Sequence, residues 1–482
     1  MDVSLHAESL SELEADVHAL ALPEGAEIPA ALAGLAGAED VRTKARKLTL
    51  LRGERPARVL VAGLGDAGEA DAEALRVAAA LVAKEAAKLE ARSLAWALPE
   101  LPGVEAPAAA AALVEGTILA SYSFDRFRPS AGDEPRPKLE RLALAGADGE
   151  PVAEAARAAR VAATAANRAR DLQNLPGNHA TPSFLAARAE EIAVAHDAVE
   201  ATILGPREIA ERGMGGLVAV SQGSAEEPRL ICLRYRGRGS GEVLGLVGKA
   251  VTFDSGGISI KPSQGMHEMK MDMSGGAAVL ESVAAIAELG LGLDVVAVVP
   301  STENMPSGTA LKPGDIITQL NGKTVEVTNT DAEGRLILAD ALTWCATEMG
   351  ADRIVDLATL TGAVLIALGS TYAALISNDD EWAARVAASA ERTGELAWRL
   401  PLHPEYKELT RGKVTDLVNS AAKRKAGTIY AGSFLEEFVE GKPWVHLDIA
   451  GTSWDVGRPY VGSGATGYGV RLLVDLAREL AG

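Results

Sequence analysis

Asp331 and Glu333 are the residues whose type and spacing first suggest chemistry. They lie in Asn329-Thr330-Asp331-Ala332-Glu333-Gly334-Arg335-Leu336, between a β-branched run at 324–328 and a segment of helical composition at 337–342. Two acids and an arginine thus stand where a strand runs out and a helix begins. In an open α/β sheet that is the usual place for a ligand. In extended backbone, residues two apart project to the same side, and side-by-side carboxylates repel each other unless a cation lies between them. A metal ion is one resolution and a solvated, charge-rich turn is the other; Asp-x-Glu alone does not choose between them.

A second stretch weighs toward the metal. Lys249-Ala250-Val251-Thr252-Phe253-Asp254-Ser255-Gly256-Gly257-Ile258-Ser259-Ile260-Lys261 follows a buried-strand pattern at 243–247. Met271-Asp272-Met273-Ser274-Gly275-Gly276 comes next and opens an alanine-rich helix. With these blocks, with the octapeptide at 329–336, and with Ala450-Gly451 and Gly464-Ala465-Thr466-Gly467, the chain resembles the leucyl aminopeptidase family, the hexameric two-metal cytosol aminopeptidases. The octapeptide looks like that family's signature.

The candidate ligands are Lys249, Asp254, Asp272, Asp331 and Glu333, four carboxylates and one amine. An oxygen-rich set suits hard or borderline cations such as manganese, magnesium or zinc. Four carboxylates can hold two such ions ~3.5–4 Å apart, a spacing used in metal-assisted hydrolysis. The resemblance implies that Asp254 and Glu333 bridge both ions, that Asp331 completes one site, and that Lys249 and Asp272 complete the other. Lys249 would have to be neutral, which burial and adjacent cations favour. The resemblance further assigns Lys261 to the developing oxyanion. It places a bicarbonate on Arg335 as general base, since a guanidinium holds such an anion through two parallel hydrogen bonds. The alternative for Arg335 is a salt bridge to Asp331 or Glu333. The resemblance also implies Asn329, Met269, Thr359 and Ala450 at the substrate, with Leu360 and Gly362 offering backbone groups. Ser463 stands where family members commonly carry lysine, and Ser453 lies near the expected pocket wall, which bears on side-chain preference. A free α-amine gives such a site a handle that blocked N-termini and internal bonds lack.

Composition sets outer limits. The chain has 482 residues, more than one core normally serves, so two domains are expected. A net charge of −19 argues against a nucleic-acid backbone binder. The two cysteines, Cys232 and Cys345, have apolar neighbours and read as buried thiols. The opening Met1-Asp2-Val3-Ser4-Leu5-His6 has no basic-then-apolar signal pattern. No apolar run approaches the ~20 residues of a membrane span. The expected setting is cytoplasmic; the resemblance implies peptides as substrates and a homohexamer as the assembly.

The elements that must position these residues read as α/β throughout. Residues 1–150 read as a small α/β domain, macro-like by what the resemblance implies, with strands near 47–51, 58–62, 93–97 and 141–145. Residues 151–173 read as a linker helix, and 174–482 as the catalytic domain, a mixed, mostly parallel sheet covered by helices. Its strands are expected near 200–204, 229–235, 243–248, 294–299, 353–356 and 444–448. Asn321-Gly322 between two β-rich runs signals a hairpin leading into the octapeptide. Gly63-Leu64-Gly65-Asp66-Ala67-Gly68 matches a dinucleotide fingerprint, but no acid follows at the right distance, so a tight glycine turn is preferred. His179, His196, His267, His403 and His446 look isolated, without zincin spacing. The main reading is a metal-dependent aminopeptidase preferring leucine-like residues. A two-metal phosphoesterase is the nearest alternative, and a non-catalytic scaffold or DNA-binding regulator the more distant one.

Overall fold

The computed structural model describes residues 1–128, 138–237, 239, 241–421 and 425–482. It separates into two compact units: residues 1–167 with 457–462, and residues 168–456 with 463–482. One helix, Glu150–Asn174, runs through the point where the first unit gives way to the second.

Strands of the first unit are β1 (Asp2–His6), β2 (Val17–Pro23), β3 (Leu48–Arg52), β4 (Arg58–Gly65), β5 (Ser93–Ala97) and β6 (Arg141–Ala145). They form one sheet in the order β1-β6-β5-β2-β4-β3, parallel except for β3 against β4. The four strands expected from sequence are present; β1 and β2 are additions. The glycine-rich stretch is not a phosphate cradle: its first two glycines belong to β4, and the expected turn follows, with the Glu69 amide donating to the Asp66 carbonyl. Strand β4 continues through Gly65, and a Cβ on Gly63 would lie 2.3 Å from the Lys44 carbonyl oxygen. Gly63 and Gly65 donate to the carbonyls of Lys47 and Thr43. Chain 43–47 thus fills the space that a pyrophosphate would need, and the helix begins only at Ala72.

The second unit carries β7 (Val199–Leu204), β8 (Arg229–Arg236), β9 (Leu244–Gly248), β10 (Ala250–Asp254), β11 (Asp294–Asn304), β12 (Ile316–Thr318), β13 (Thr324–Glu326), β14 (Arg353–Ala358), β15 (Ala373–Ser377), β16 (Ala397–Arg399), β17 (Leu417–Val418) and β18 (Trp444–Asp448). The main sheet runs β16-β15-β18-β14-β9-β11-β8-β7, with β10 beside β11. Its centre, β18-β14-β9-β11, is parallel; β15, β8 and β7 add antiparallel pairings toward the edges. Valine, leucine and isoleucine fill the central strands without alternation, as sheets covered on both faces require. The buried helices Ser274–Leu289 and Gly334–Thr347 pack on it.

Two details aim this scaffold. Strands β9 and β10 both pair with β11, the first at 295–298 and the second at 301–304, so Lys249 is the single residue at the step between them. The hairpin of β12 and β13 forms as expected, with Gly322 donating to the Gln319 carbonyl, and β17 joins it in parallel to make a separate three-stranded sheet. Both cysteines are free and buried, and burial pushes the Cys232 thiol up to about 12. Among the described residues no helix is long and apolar enough to cross a membrane.

Candidate metal centre and substrate cavity

The carboxyl ends of β9, β10, β14 and β18 converge on a cavity of about 430 Å³. That is where an open α/β sheet places its ligand. Lys249, Asp254, Lys261, Asp272, Asp331 and Glu333 all line it.

Each acid arrives by a different local device. Asp254 ends β10, and its Oδ1 accepts from the Gly256 amide and from Asn304 Nδ2, both at 2.9 Å. Asp272 sits in a 3-10 turn, Met266–Met273, just before the helix at Ser274, and accepts a 2.6 Å hydrogen bond from Thr359 Oγ1. Glu333 is the residue before the helix at Gly334. Asp331 lies in a turn whose amide donates to Asn329 Oδ1 at 3.0 Å. The segment is therefore not extended, and the same-side argument from spacing does not hold. The turn instead sends the two carboxylates to different cations.

The acids divide between two ammonium groups. Lys249 Nζ lies 2.7 Å from both Asp272 Oδ2 and Glu333 Oε1, and donates to the Thr359 carbonyl at 3.1 Å. Lys261 Nζ lies 2.7 Å from Asp254 Oδ2 and 2.6 Å from Asp331 Oδ1. Asp272 Oδ2 and Asp331 Oδ1 are close to these lysines but poorly aligned for hydrogen bonds, so neither has a well-formed partner. Asp254, Asp272 and Glu333 reach across the two groups, each offering an oxygen within 4.8 Å of the others.

Four carboxylates around two ammonium groups leave an excess of negative charge in a buried site. Burial, then the neighbouring Glu333 charge, pushes Asp254 up to about 6. Burial also raises Asp272 and Asp331 above the usual carboxylate range. Burial opposes the charge on Glu333 as well, but Lys249 and Lys261 outweigh it and hold that carboxyl low. Burial alone would favour a neutral Lys249; Asp272, Glu333 and Asp254 keep it an ammonium instead. Its Nζ thus stands where a cation is wanted. The donor set fits divalent ions: oxygen-rich, with more negative charge than its lysines balance and two badly satisfied oxygens. As a ligand Lys249 would have to give up its proton, so metal binding there is coupled to proton release.

The remaining expected residues separate into two sets. Met269, Thr359, Leu360, Gly362 and Ala450 line the cavity, together with Met266, Met271 and Leu365. Asn329 and Arg335 do not. Asn329 shapes the turn before Asp331, while Arg335 is buried, with Nη1 donating to the Asn419 carbonyl at 2.8 Å and its guanidinium 5.5 Å over the Tyr430 ring. Burial lowers its pKa, and its Nε has no partner. The expected alternative, a salt bridge to Asp331 or Glu333, does not form. Ser453 stands behind the wall, 4.0 Å from the Met271 sulfur.

Sequence reading passed over the residues that hold these segments. Asn304 donates to Asp254 and to the Thr330 carbonyl. Asp448 accepts from the amides of Leu360, Thr361 and Ala450 and from Thr361 Oγ1, tying the cavity wall to β18. His446 is not isolated: its Nδ1 lies 2.7 Å from Asp356 Oδ1 on the adjacent strand, and that pairing raises its pKa although burial opposes it. Apart from the Asp448–Ala450 contact, these partnerships join residues 26 or more positions apart in sequence, so no local signal announces them.

Known proteins resemble this chain in sequence and fold. The family model described as Cytosol aminopeptidase family, catalytic domain, matches residues 167–474, and that for the N-terminal domain of the same family matches residues 21–130. A probable cytosol aminopeptidase of Roseiflexus castenholzii is 45% identical over 96% of both chains. One from Chlorobaculum tepidum is 46% identical over 91% of this chain and 90% of its own. Among solved structures, the bottromycin maturation enzyme BotP in complex with Mn is 38% identical, with a TM-score of 0.88 over 97% of this chain and all of its own. A mutant of tomato leucine aminopeptidase is 32% identical, with a TM-score of 0.89 over 99% of this chain and 96% of its own. The chain belongs to the cytosol aminopeptidase family and, as a member, is a metallo-aminopeptidase.

Proposed function

We propose that this chain releases N-terminal residues, leucine-like ones foremost, from peptides, using two divalent ions held by Lys249, Asp254, Asp272, Asp331 and Glu333. The observation that carries the reading is the buried acid cluster: three carboxylates within 4.8 Å of one another and a fourth beside them, on the wall of a substrate-sized cavity. Bound ions would polarise the scissile carbonyl and lower the pKa of the attacking water. Manganese or zinc suits the donor set, and magnesium is a third choice.

The chain's own groups supply the rest. Lys261 is partly exposed, its side chain 22% accessible, and its ammonium is fixed between Asp254 and Asp331. A fixed cation there can meet an oxyanion as it develops. Arg335 spends Nη1 on Asn419 and keeps Nε unpaired, which leaves one edge of its fork for a planar anion such as bicarbonate. Met266, Met269 and Met271 give the cavity adaptable apolar walls suited to an aliphatic side chain. The homohexamer and the cytoplasmic setting that the family likeness implies belong to the same reading. Ile366, 92% exposed on the helix beside the cavity, and Trp398, 58% exposed, are apolar surface that a subunit contact would cover.

The test is hydrolysis of a leucine chromogenic amide by chelator-stripped protein, with manganese, zinc and magnesium restored singly, beside an N-acetylated copy of the substrate. Metal-restored cleavage of the free-amine substrate alone is expected. Folded protein that cleaves neither substrate with any of the three ions would refute the reading.

A further inference from the structure

The signature turn carries Asp331, Glu333 and Arg335, yet it has almost no regular backbone pairing of its own. Strand β13 ends at Glu326 and the next helix starts at Gly334. Something must hold residues 327–333 in one conformation, because ligands displaced by even a fraction of an ångström hold a metal poorly.

Asn304 and Ser259 hold Thr330 in the middle of the turn, and one wholly buried side chain grips the residues on both sides of it. Asn419 follows β17, and its carboxamide uses both its acceptor and its donor on the turn. Oδ1 accepts from the Thr328 amide at 2.8 Å and the Asn329 amide at 3.3 Å. Nδ2 donates to the Asn329 carbonyl at 2.7 Å and to the Ala332 carbonyl at 3.3 Å. The backbone of Asn419 extends the same grip: its amide donates to the Glu326 carbonyl at 3.1 Å, and its carbonyl accepts from Arg335 Nη1. Tyr430, whose ring lies under the Arg335 guanidinium, donates its hydroxyl to the carbonyl of the preceding residue, Val418. Asn419 thus contacts the chain on both sides of Asp331 and the arginine beyond Glu333, without touching either acid.

We infer that Asn419 is a positioning residue for the metal centre, a clamp that sets where Asp331, Glu333 and Arg335 point. The inference rests on the proposed metal-dependent reading of the site. Only an amide satisfies the geometry, since it offers an acceptor to two amides and a donor to two carbonyls at once. Aspartate has nearly the same shape and keeps the acceptor. It turns a second oxygen onto the carbonyls of Asn329 and Ala332, where the donor is lost and repulsion replaces it.

Asn419→Asp tests this, with the fold followed by circular dichroism and thermal unfolding. Manganese affinity of the stripped protein is measured by calorimetry, which needs no turnover, and kcat and KM are measured on the leucine amide. In folded Asn419→Asp, manganese affinity is expected to fall about 10–100-fold, and kcat to fall by a larger factor than KM rises. Wild-type affinity with wild-type kcat would overturn the clamp. Asn419→Ala serves if the aspartate variant does not fold; failure of both to fold would overturn the inference by making Asn419 a determinant of the whole fold. Wild-type protein titrated alongside separates the two levels. If it takes up no manganese, the metal reading itself fails, whereas unchanged uptake in Asn419→Asp removes the clamp alone.

Discussion

Lysine is an unusual companion for a metal ligand set, and this site contains two with different surroundings. Lys249 is 3% exposed in its side chain and faces Asp272, Glu333 and a backbone carbonyl; Lys261 is 22% exposed and faces Asp254 and Asp331. The buried one is held as an ammonium by its acids and would have to lose its proton to serve as the proposed ligand. The more exposed one keeps an ammonium toward the cavity. If Lys261 acts on the transition state, its loss should leave substrate binding nearly intact. Lys261→Met is expected to lower kcat about 10²–10³-fold on the leucine amide while KM stays within a few-fold. Steady-state kinetics on metal-saturated protein decides the matter. A variant with raised KM and unaltered kcat would assign Lys261 to ground-state binding.

At the scale of elements, the proposed ligands depend on how tightly neighbouring segments approach. Gly334 opens the signature helix against the Lys249 side chain, and a Cβ there would lie 2.5 Å from Lys249 Cε and 2.7 Å from Nζ. Gly334→Ala should spare the helix, because alanine is a better helix former by about 0.5–1 kcal/mol, yet push Lys249 off its place. The expected outcome is an unfolding temperature close to wild type with manganese affinity lowered at least about tenfold by calorimetry. Unaltered affinity would mean that Lys249 has room to move and is not held as a ligand. The same elements explain what the sequence disclosed. Central strands, the Asn321-Gly322 hairpin and the strand-turn-helix around the octapeptide all have local signatures, so their places were legible. The 331–333 backbone was misjudged because its turn is imposed by Asn329 and by distant Asn419, not by local propensity. Strand β17 is two residues long and forms by pairing with β13 and through a bridge from Leu417 to Arg411, so it offers no period to read. Asn304, Asp448 and the His446–Asp356 pair work across strands, and one sequence without its fold cannot join them.

For the molecule as a whole, the acid cluster is a stability question as well as a catalytic one. The chain carries a net charge of −19, and its buried centre adds uncompensated negative charge where solvent screens least. Ions that bind the folded state and not the unfolded chain raise stability by mass action, by about 2.7 kcal/mol at 100 times Kd. In a chain of this size that corresponds to a rise in unfolding temperature of a few degrees at neutral pH. The pH dependence has a definite sign. In the metal-free protein, Asp254 sits near 6, above its ordinary 3.8, so the folded state binds that proton more tightly than the unfolded chain does. Its contribution to stability therefore grows as pH falls from about 6 toward 4 and is lost as pH rises through 6. The metal-loaded protein needs the same carboxylate ionised and weakens over that window, because protons compete with the ion. The gap in unfolding temperature between manganese-loaded and chelator-stripped protein should be widest near pH 7 and should narrow steadily toward pH 5. Thermal scans of both forms at fixed ionic strength measure it. A gap that stayed constant, or widened on acidification, would place the stabilising ion away from Asp254.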